Sequence, residues 1–456
     1  GRWFESTLLY QKMTKEKNNK PSKELPVGFV DRQEKELLVR DFIISNIKEV
    51  MIKYGFQYLE TPSFEYSDSI GKFLPDKERP DQGVFSFKDE NKWLSLRYDL
   101  TAPLARYVAK NYLEIPKPFK RYQLGTVWRN EKPGPGRFRE FLQFDADFVG
   151  TKSLQADAEL CIMISEILEN CGLSKSEYVI KISSRKITEE LFKKINLNDS
   201  EQKLTTLRAL DKIDRLGWDG VKQLLGSGRK DKSGDFTKGA DLNSKTIQII
   251  ESELRKEKPL TEDLQNILKI FKDYNFNNYE TDPSIIRGLE YYTGIIFEVN
   301  LKFDVKNNKG QVIQFGSIGG GGRYDNLINN FGNYDAPATG ISIGLDRLVY
   351  ALMQKKEFKV KQTKPVVICI FDKSSMKEYI NLQKMLRKNG VSVEIYPGDG
   401  KLKKQMEYAN KINSPAVILF GDNEIKSGKP TLRNLRTGKE TKIEIKKLAD
   451  EIKKII

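Results

Sequence analysis

The sequence predicts an α+β domain built on an antiparallel sheet with flanking helices, a helical insertion within that domain, and a small α/β domain at the C-terminal end. Three observations predict this. "FKRYQLGTVWRNE" and "FREFLQFDADFVG" alternate as two strands joined by the stiff loop "KPGPGR", which makes a long antiparallel hairpin. From about residue 186 to 275 the texture becomes helical around a glycine- and lysine-rich loop. Beyond residue 365, short apolar strands alternate with helices, the pattern of a mainly parallel sheet.

The elements follow in order. Residues 1–24 read as a polar, disordered lead-in, with residues 1–12 ahead of Met13 read as a cloning remnant. They lack a basic-then-apolar signal design. Residues 25–185 form the first part of the large domain. Over 33–54, Leu37, Leu38, Phe42, Ile43, Ile47, Val50 and Met51 recur at helical spacing, and Gly55 ends the helix. "FQYLETPSFEYSD" alternates as a strand, with Pro62 limiting its pairing on one side. "WLSLRYDLTAPLARYVAKN" reads as a strand, a turn holding Asp99 and Thr101, and a helix; after the hairpin comes a helix over 154–170. The insertion spans 186–275. The second part of the large domain, 276–355, holds a strand over 285–299 ("IIRGLEYYTGIIFEV"), the glycine strand "GSIGGGGRYDNL", and "ATGISIGLDRLVYALMQ", a strand running into a helix. Residues 365–456 form the tail domain, ending in a hairpin around "LRTGKE". Its first strand is not followed by G-x-G-x-x-G, which argues against a nucleotide-binding Rossmann domain.

Composition narrows the chemistry. The 456 residues are 31% charged and 38% hydrophobic, as in a soluble globular protein, and the length allows several domains. No apolar run reaches membrane-spanning length. A net charge of +15 favours an anionic partner, nucleic acid first, with a solvated lysine-rich surface as the other reading. The 3 scattered cysteines, Cys161, Cys171 and Cys369, form neither a disulfide framework nor a zinc cluster, so a reducing, cytoplasmic setting is expected. Histidine is absent, which excludes Ser-His-Asp and Cys-His catalysis and histidine-ligated metals. Catalysis must then rest on charge, positioning or carboxylates.

Several segments carry more charge than folding needs. On the hairpin, Arg129, Glu131, Arg137 and Arg139 lie among Trp128, Phe138, Phe141 and Phe144. Forked guanidiniums suit phosphates and aromatic faces suit a stacked base; cross-strand ion pairs are the competing reading. Arg287 sits in an apolar run beside Tyr291 and Tyr292, where a guanidinium requires an anionic partner. Glycines 319–322 permit close approach of a ligand to the backbone, and Arg347 opens a helix after a glycine-rich strand.

In this order the motifs resemble those of the histidyl-tRNA synthetases, a family of class II aminoacyl-tRNA synthetases, from about residue 25 to the end. "TVWRNE…GRFREFLQF" is similar to class II motif 2, "TGISIGLDRL" to motif 3, and the helix and strand ending at Pro62 to motif 1, the dimer element. "RGLEYYTG" and "GSIGGGGRYDNL" resemble the two histidyl signatures, and the tail resembles the class IIa anticodon-binding domain. The resemblance implies a cytoplasmic homodimer that uses ATP, with Mg²⁺ accompanying it, L-histidine and tRNA(His), and no membrane. It implies that Arg287 meets the α-phosphate and the substrate carboxylate, with Arg129 and Gln143 beside it. Arg137 would take the γ-phosphate, Phe141 and Arg347 the adenine faces, and Glu131 its amino group. Asp99 and Thr101 would take the α-ammonium, and Asp147 and Tyr292, with Tyr291 beside them, the imidazole. No metal held by protein side chains is implied.

The motif 2 loop departs from the common bacterial "ERPQKGR": here Lys132, Gly134 and Pro135 stand where side chains read the acceptor end of the tRNA and its extra 5′ guanine. An altered dependence on that guanine is expected. A non-catalytic paralogue, such as a regulatory subunit in histidine biosynthesis, is the alternative. Such chains lose motif arginines or the tail domain, and here Arg129, Arg287, Arg347 and a tail domain are all present.

Overall fold

The computed structural model describes residues 22–71, 83–231, 234, 236–255, 260–287, 291–307, 309–355, 358 and 364–456. Most of the expected lead-in therefore lies outside the described residues. The chain divides into two compact units, 1–359 and 360–456.

The first unit is organised by one sheet of eight strands. In chain order these are β1 (Gln57–Tyr58), β2 (Phe119–Trp128), β3 (Glu140–Val149), β4 (Tyr178–Ser184), β5 (Tyr279–Thr281), β6 (Ile295–Leu301), β7 (Gly319–Arg323) and β8 (Ala338–Gly344). Across the sheet they run β1-β2-β3-β8-β7-β6-β4-β5. All pairings are antiparallel except the two at the edges, β1 with β2 and β4 with β5. The helices used below are α1 (Glu34–Lys53), α2 (Thr101–Lys110), α3 (Leu154–Asn170) and α4 (Leu345–Leu352).

Register separates the sheet into two chemically different faces. Phe144, Ala146, Phe148, Ile341, Ile343, Phe297, Val299, Ile180 and Ile182 share one face, because their strands pair Phe144 with Ile343, Ala146 with Ile341 and Phe297 with Ile182. Helix α3 packs here, burying Leu160, Met163, Ile164, Ile167 and Leu168 completely. Each such side chain contributes about 1.5–3 kcal/mol on leaving water. The opposite face carries Arg121, Gln123, Gly125, Gln143, Asp145, Asp147, Gly340, Ser342, Gly344, Gly320 and Glu298 at the alternate positions of the same strands. A polar and glycine floor is thus set by the two-residue period of the strands.

A buried ion pair lies on the apolar side. Arg323 ends β7 and pairs with Asp157 of α3, and its guanidinium also donates to the carbonyls of Thr151 (2.9 Å) and Ser153 (3.0 Å). Replacing Arg323 with methionine leaves Asp157 buried without compensation. A loss of about 3–5 kcal/mol in urea unfolding is expected.

Two expectations need correction. Residues 285–287 and 291–294 do not form strand: β6 begins at Ile295. The Ile285 amide closes a turn on the Asp282 carbonyl (3.1 Å), and Ile286 is buried in the insertion's core, so these apolar residues are satisfied without joining the ladder. Gly288, part of the motif, lies outside the described residues. The helix Glu262–Asp273, expected in the insertion, packs against α3 and β4 and belongs to the sheet's helical layer. The insertion's own core comes from Leu191, Leu207, Leu210, Val221, Leu225, Ile250 and Leu254, and its glycine–lysine loop forms a short hairpin, Gly228–Lys230 with Phe236–Lys238.

The second unit has a five-stranded sheet: three parallel strands, Val366–Cys369, Val393–Ile395 and Ala416–Leu419, followed by the antiparallel Thr431–Asn434 and Glu440–Lys442. Ile368, Tyr379, Leu386, Ile418, Leu448 and Ile452 form its core. The closing helix Ile445–Ile455, which buries Leu448 and Ile452, was not anticipated.

Candidate active site

The polar floor links the expected site residues through a run of contacts. Arg129 leaves the end of β2 and lies over the rings of Tyr98 (4.5 Å) and Phe141 (5.2 Å), with Nη2 donating to Gln143 Oε1 at 3.4 Å. Gln143 Nε2 donates to Asp145 Oδ1 at 2.8 Å. Across the β2–β3 pairing, Arg121 meets Asp147, Nη2 to Oδ2, at 2.9 Å. The Tyr324 hydroxyl donates to the other oxygen of Asp147. Tyr291 stands between Tyr324 and Tyr292, ring centroids 5.9 and 4.8 Å away. Arg287 then pairs with Glu298 on β6 at 2.9 Å, above Gly320, where a side chain would meet Arg287 Nη1 at 2.8 Å.

Asp99 and Thr101 sit where β-structure gives way to α2. Asp99 Oδ1 accepts from the amides of Thr101 (3.1 Å) and Ala102 (3.0 Å), so the helix start fixes this carboxylate. Burial nevertheless pushes Asp99 above the usual carboxylate range, and these amides and the Arg129 charge oppose that push. Burial also raises the Tyr291 and Tyr292 phenols, which stay neutral donors at physiological pH. For Arg287, burial works against the charge, but Tyr292, Glu298 and Asp211 hold it above its ordinary value.

At the other end, Glu131 accepts from the Tyr98 hydroxyl at 2.6 Å. Arg137 and Arg347 converge on Gly316: a side chain there would find a guanidinium nitrogen of each within 3.8 Å. Burial and the nearby Arg137 charge push Arg347 below its ordinary value, the electrostatic condition for an anion site. Phe141 and Arg347 are not brought face to face. Arg347 rests on the Phe315 ring at 4.4 Å and donates to the Phe315 carbonyl. Lys132, Gly134 and Pro135 form the loop tip: Gly134 and Arg137 exchange backbone hydrogen bonds of 3.0 and 2.8 Å, and Lys132 reaches Asp231 of the insertion at 3.6 Å.

Sequence reasoning missed Arg121, Asp145, Tyr324, Tyr98 and Phe315. It also missed Asp346, whose carboxylate accepts from the Leu142 amide (2.8 Å), tying α4 to β3, and pairs with the Arg32 charge at 3.0 Å. A signal existed for two of them: Arg121 shares strand parity with Gln123 and Gly125, and Asp145 with Gln143 and Asp147.

A mostly antiparallel sheet, with Arg129 and Arg137 in the β2–β3 connection, Arg347 on α4 and Arg287 ahead of β6, is the fold of the class II aminoacyl-tRNA synthetases. Comparison with known proteins narrows this further. Residues 28–348 match the family model for histidyl-tRNA synthetase, and residues 364–455 match that for an anticodon binding domain. The chain is 45% identical to a histidine–tRNA ligase of Bartonella quintana, over 94% of this chain and 92% of the relative. It is 46% identical to that of Bartonella henselae, over 94% and 93%. The fold matches a crystal structure of histidyl-tRNA synthetase from Nostoc sp. PCC 7120 with a TM-score of 0.71 at 25% identity, covering 96% of this chain and 100% of that one. The chain belongs to the histidyl-tRNA synthetase family.

Proposed function

We infer that the protein is a histidine–tRNA ligase. It activates L-histidine with ATP to histidyl-adenylate and pyrophosphate, then passes histidine to the 3′ end of tRNA(His). The observation that carries this is that Arg129 with Gln143, Arg121 with Asp147, and Arg287 with Glu298 are gathered as contacting pairs on one polar floor. The regulatory-paralogue reading is disfavoured, because the chain retains this machinery and matches ligases over nearly its whole length.

In the first step the substrate's carboxylate attacks the α-phosphorus in line and pyrophosphate leaves. The nucleophile is the substrate's own, so a chain without histidine loses nothing by its absence; what it must supply is alignment and positive charge. Arg287 and Arg129 take the α-phosphate and Gln143 the reacting carboxylate. Arg137 takes the γ-phosphate, Phe141 and Arg347 the adenine faces, and Glu131 the amino group. Arg347 would exchange its contact with Phe315 for the base. Asp99 and Thr101 hold the α-ammonium, and Tyr292 and Asp147 the imidazole, with Tyr291 beside them. A ring with two nitrogens suits an acid paired with a phenol.

Among the described residues, no group of three or more carboxylates or cysteines could hold a metal ion. Mg²⁺ would arrive on the ATP phosphates. We assign the working assembly as a cytoplasmic homodimer. Among the described residues no helix is long and apolar enough to cross a membrane. Phe64, Tyr66 and Phe87 are exposed on one face of a small sheet that follows Pro62, with Phe64 and Phe87 in edge contact at 5.4 Å. Such a patch fits a second copy of the chain, and a light-scattering mass of one chain would refute it.

The test of function is charging of tRNA(His) with labelled histidine, dependent on ATP. With Lys132, Gly134 and Pro135 in the loop, a transcript lacking the extra 5′ guanine is expected to be charged within about tenfold of one carrying it. A loss of thousands-fold would overturn that assignment.

A further inference from the structure

Arg121 is the most deeply buried cation of the sheet, at 0% exposure, and neither motif reasoning nor the proposed roles use it. Its surroundings are unusual for a structural arginine. Nη2 serves both Asp147 (2.9 Å) and the Leu100 carbonyl (3.1 Å), while Nε and Nη1 have no hydrogen-bond partner among the described residues. Burying a guanidinium with two of its nitrogens unpaired is costly, so a purely structural role explains it poorly. Two acids share its neighbourhood on one face of β3. Asp147 is 2% exposed and Asp145 is 1% exposed.

The two acids differ in their partners. Asp147 accepts a hydrogen bond from Tyr324 at Oδ1 and faces the Arg121 charge at 2.9 Å from Oδ2, an ion pair without a hydrogen bond, and both favour its ionised form. Asp145 accepts from Gln143 Nε2 (2.8 Å) and from the Thr101 hydroxyl (3.5 Å), with Ser342 opposite it on β8, and has no direct ion pair among the described residues. Asp99 is the remaining charge that acts on Asp147. Arg97, 5% exposed, is a second buried cation whose charge acts with Asp145, but among the described residues only Arg121 forms an ion pair with either acid, and it does so with Asp147. Burial pushes both acids up, and the Arg121 charge opposes this at both.

We propose that Arg121 is a positioning and specificity residue for the amino-acid substrate: it keeps Asp147 ionised and aimed at the ring, and leaves Asp145 as the acid that carries the proton. The inference rests on the assignment of Asp147 to the imidazole. Without Arg121, Asp147 loses its ion-pair partner while Asp145 keeps the Arg97 charge. Asp147 then takes up a proton at physiological pH and stops accepting from the ring N–H. Removing the second acid as well lets Asp147 ionise again.

The test is histidine-dependent ATP–pyrophosphate exchange on the full-length chain, with KM measured separately for histidine and ATP between pH 6.5 and 8.5. Arg121→Met is expected to raise KM for histidine by about 30-fold at pH 7 while KM for ATP moves less than about twofold. That KM should fall as pH rises, because Asp147 regains its charge. Adding Asp145→Asn should recover at least about a third of the loss and flatten the pH profile. Arg121→Lys, which keeps the charge and loses the fork, should show the same selective effect at about fivefold, and it serves as the primary variant if Arg121→Met does not fold. Equal changes in both KM values, or a histidine KM without added pH dependence, would overturn the proposal. Asp147→Asn separates the two levels. If it leaves KM for histidine unmoved, the assignment of Asp147 itself fails. If it raises KM for histidine and the Arg121 variants do not, only the role of Arg121 fails.

Discussion

Arg287→Ala slows histidine-dependent ATP–pyrophosphate exchange by about 10²–10³-fold, with much smaller changes in KM for histidine and ATP. The guanidinium lies above Gly320 and is held by Glu298 at 2.9 Å, on the floor that also carries Gln143 and Asp147. Charge builds on the phosphoryl oxygens as the carboxylate approaches, and a preorganised cation there acts most in the transition state. Arg287→Lys should recover part of the rate, since it keeps the charge but loses the fork that spans two oxygens. The alanine variant also leaves Glu298 without its cation, so some stability is lost with the rate. Arg287→Ala combined with Glu298→Gln separates the two. Stability in urea should recover and the exchange rate should not. Recovery of the rate in the double variant would show that Arg287 acts through folding.

Gly340→Ala raises KM for histidine by about 10–100-fold, although alanine is the smallest change available there. Gly340 lies opposite Asp147 in the β3–β8 pairing, and a methyl group would sit inside the van der Waals radius of Asp147 Oδ1 and 3.3 Å from the Ala146 carbonyl. Asp147 cannot yield cheaply, since Tyr324 hydrogen-bonds its Oδ1, the oxygen the methyl group would strike, and Arg121 pairs with the carboxylate at 2.9 Å. Its displacement costs a charge-assisted hydrogen bond, about 1.5–3 kcal/mol, in addition to overpacking strain of about 1–3 kcal/mol. The first contribution should appear in KM for histidine and the second in urea stability. An unchanged KM for histidine would mean that Asp147 does not face the substrate.

The parts of the fold legible in the sequence were those with a strong local period. The hairpin carries two-residue alternation on both strands and a proline–glycine loop, and β2 and β3 pair along their whole length. Helix α3 was placed at its observed bounds because its apolar residues recur at helical spacing. The run 285–299 failed because apolar content alone does not distinguish a ladder from a segment whose isoleucines dock in a neighbouring core. Ile286 takes the second course. The final helix Ile445–Ile455 was hidden behind a hairpin signal.

The site divides along similar lines. Arginines next to aromatic residues and glycines drew attention, and Arg129, Gln143, Asp147 and Arg287 converge on one floor. Arg121 and Asp145 went unnoticed because each sits inside a strand dense in other polar residues, and only the register shows that they share a face. Tyr324 follows the glycine strand and reaches Asp147 from 177 positions away in the chain, a contact no local pattern encodes. Phe315 meets Arg347 through a loop, for which the sequence has no periodic signal.

The most direct test of the whole account is amino-acid-dependent ATP–pyrophosphate exchange, run with each of the twenty amino acids, ATP and Mg²⁺. Exchange with histidine alone is the expected result. No exchange with any amino acid, from folded protein, would contradict the assignment of Arg129, Gln143 and Arg287 to adenylate formation. Exchange with a different amino acid would contradict the assignment of Asp147 and Tyr292 to the imidazole ring.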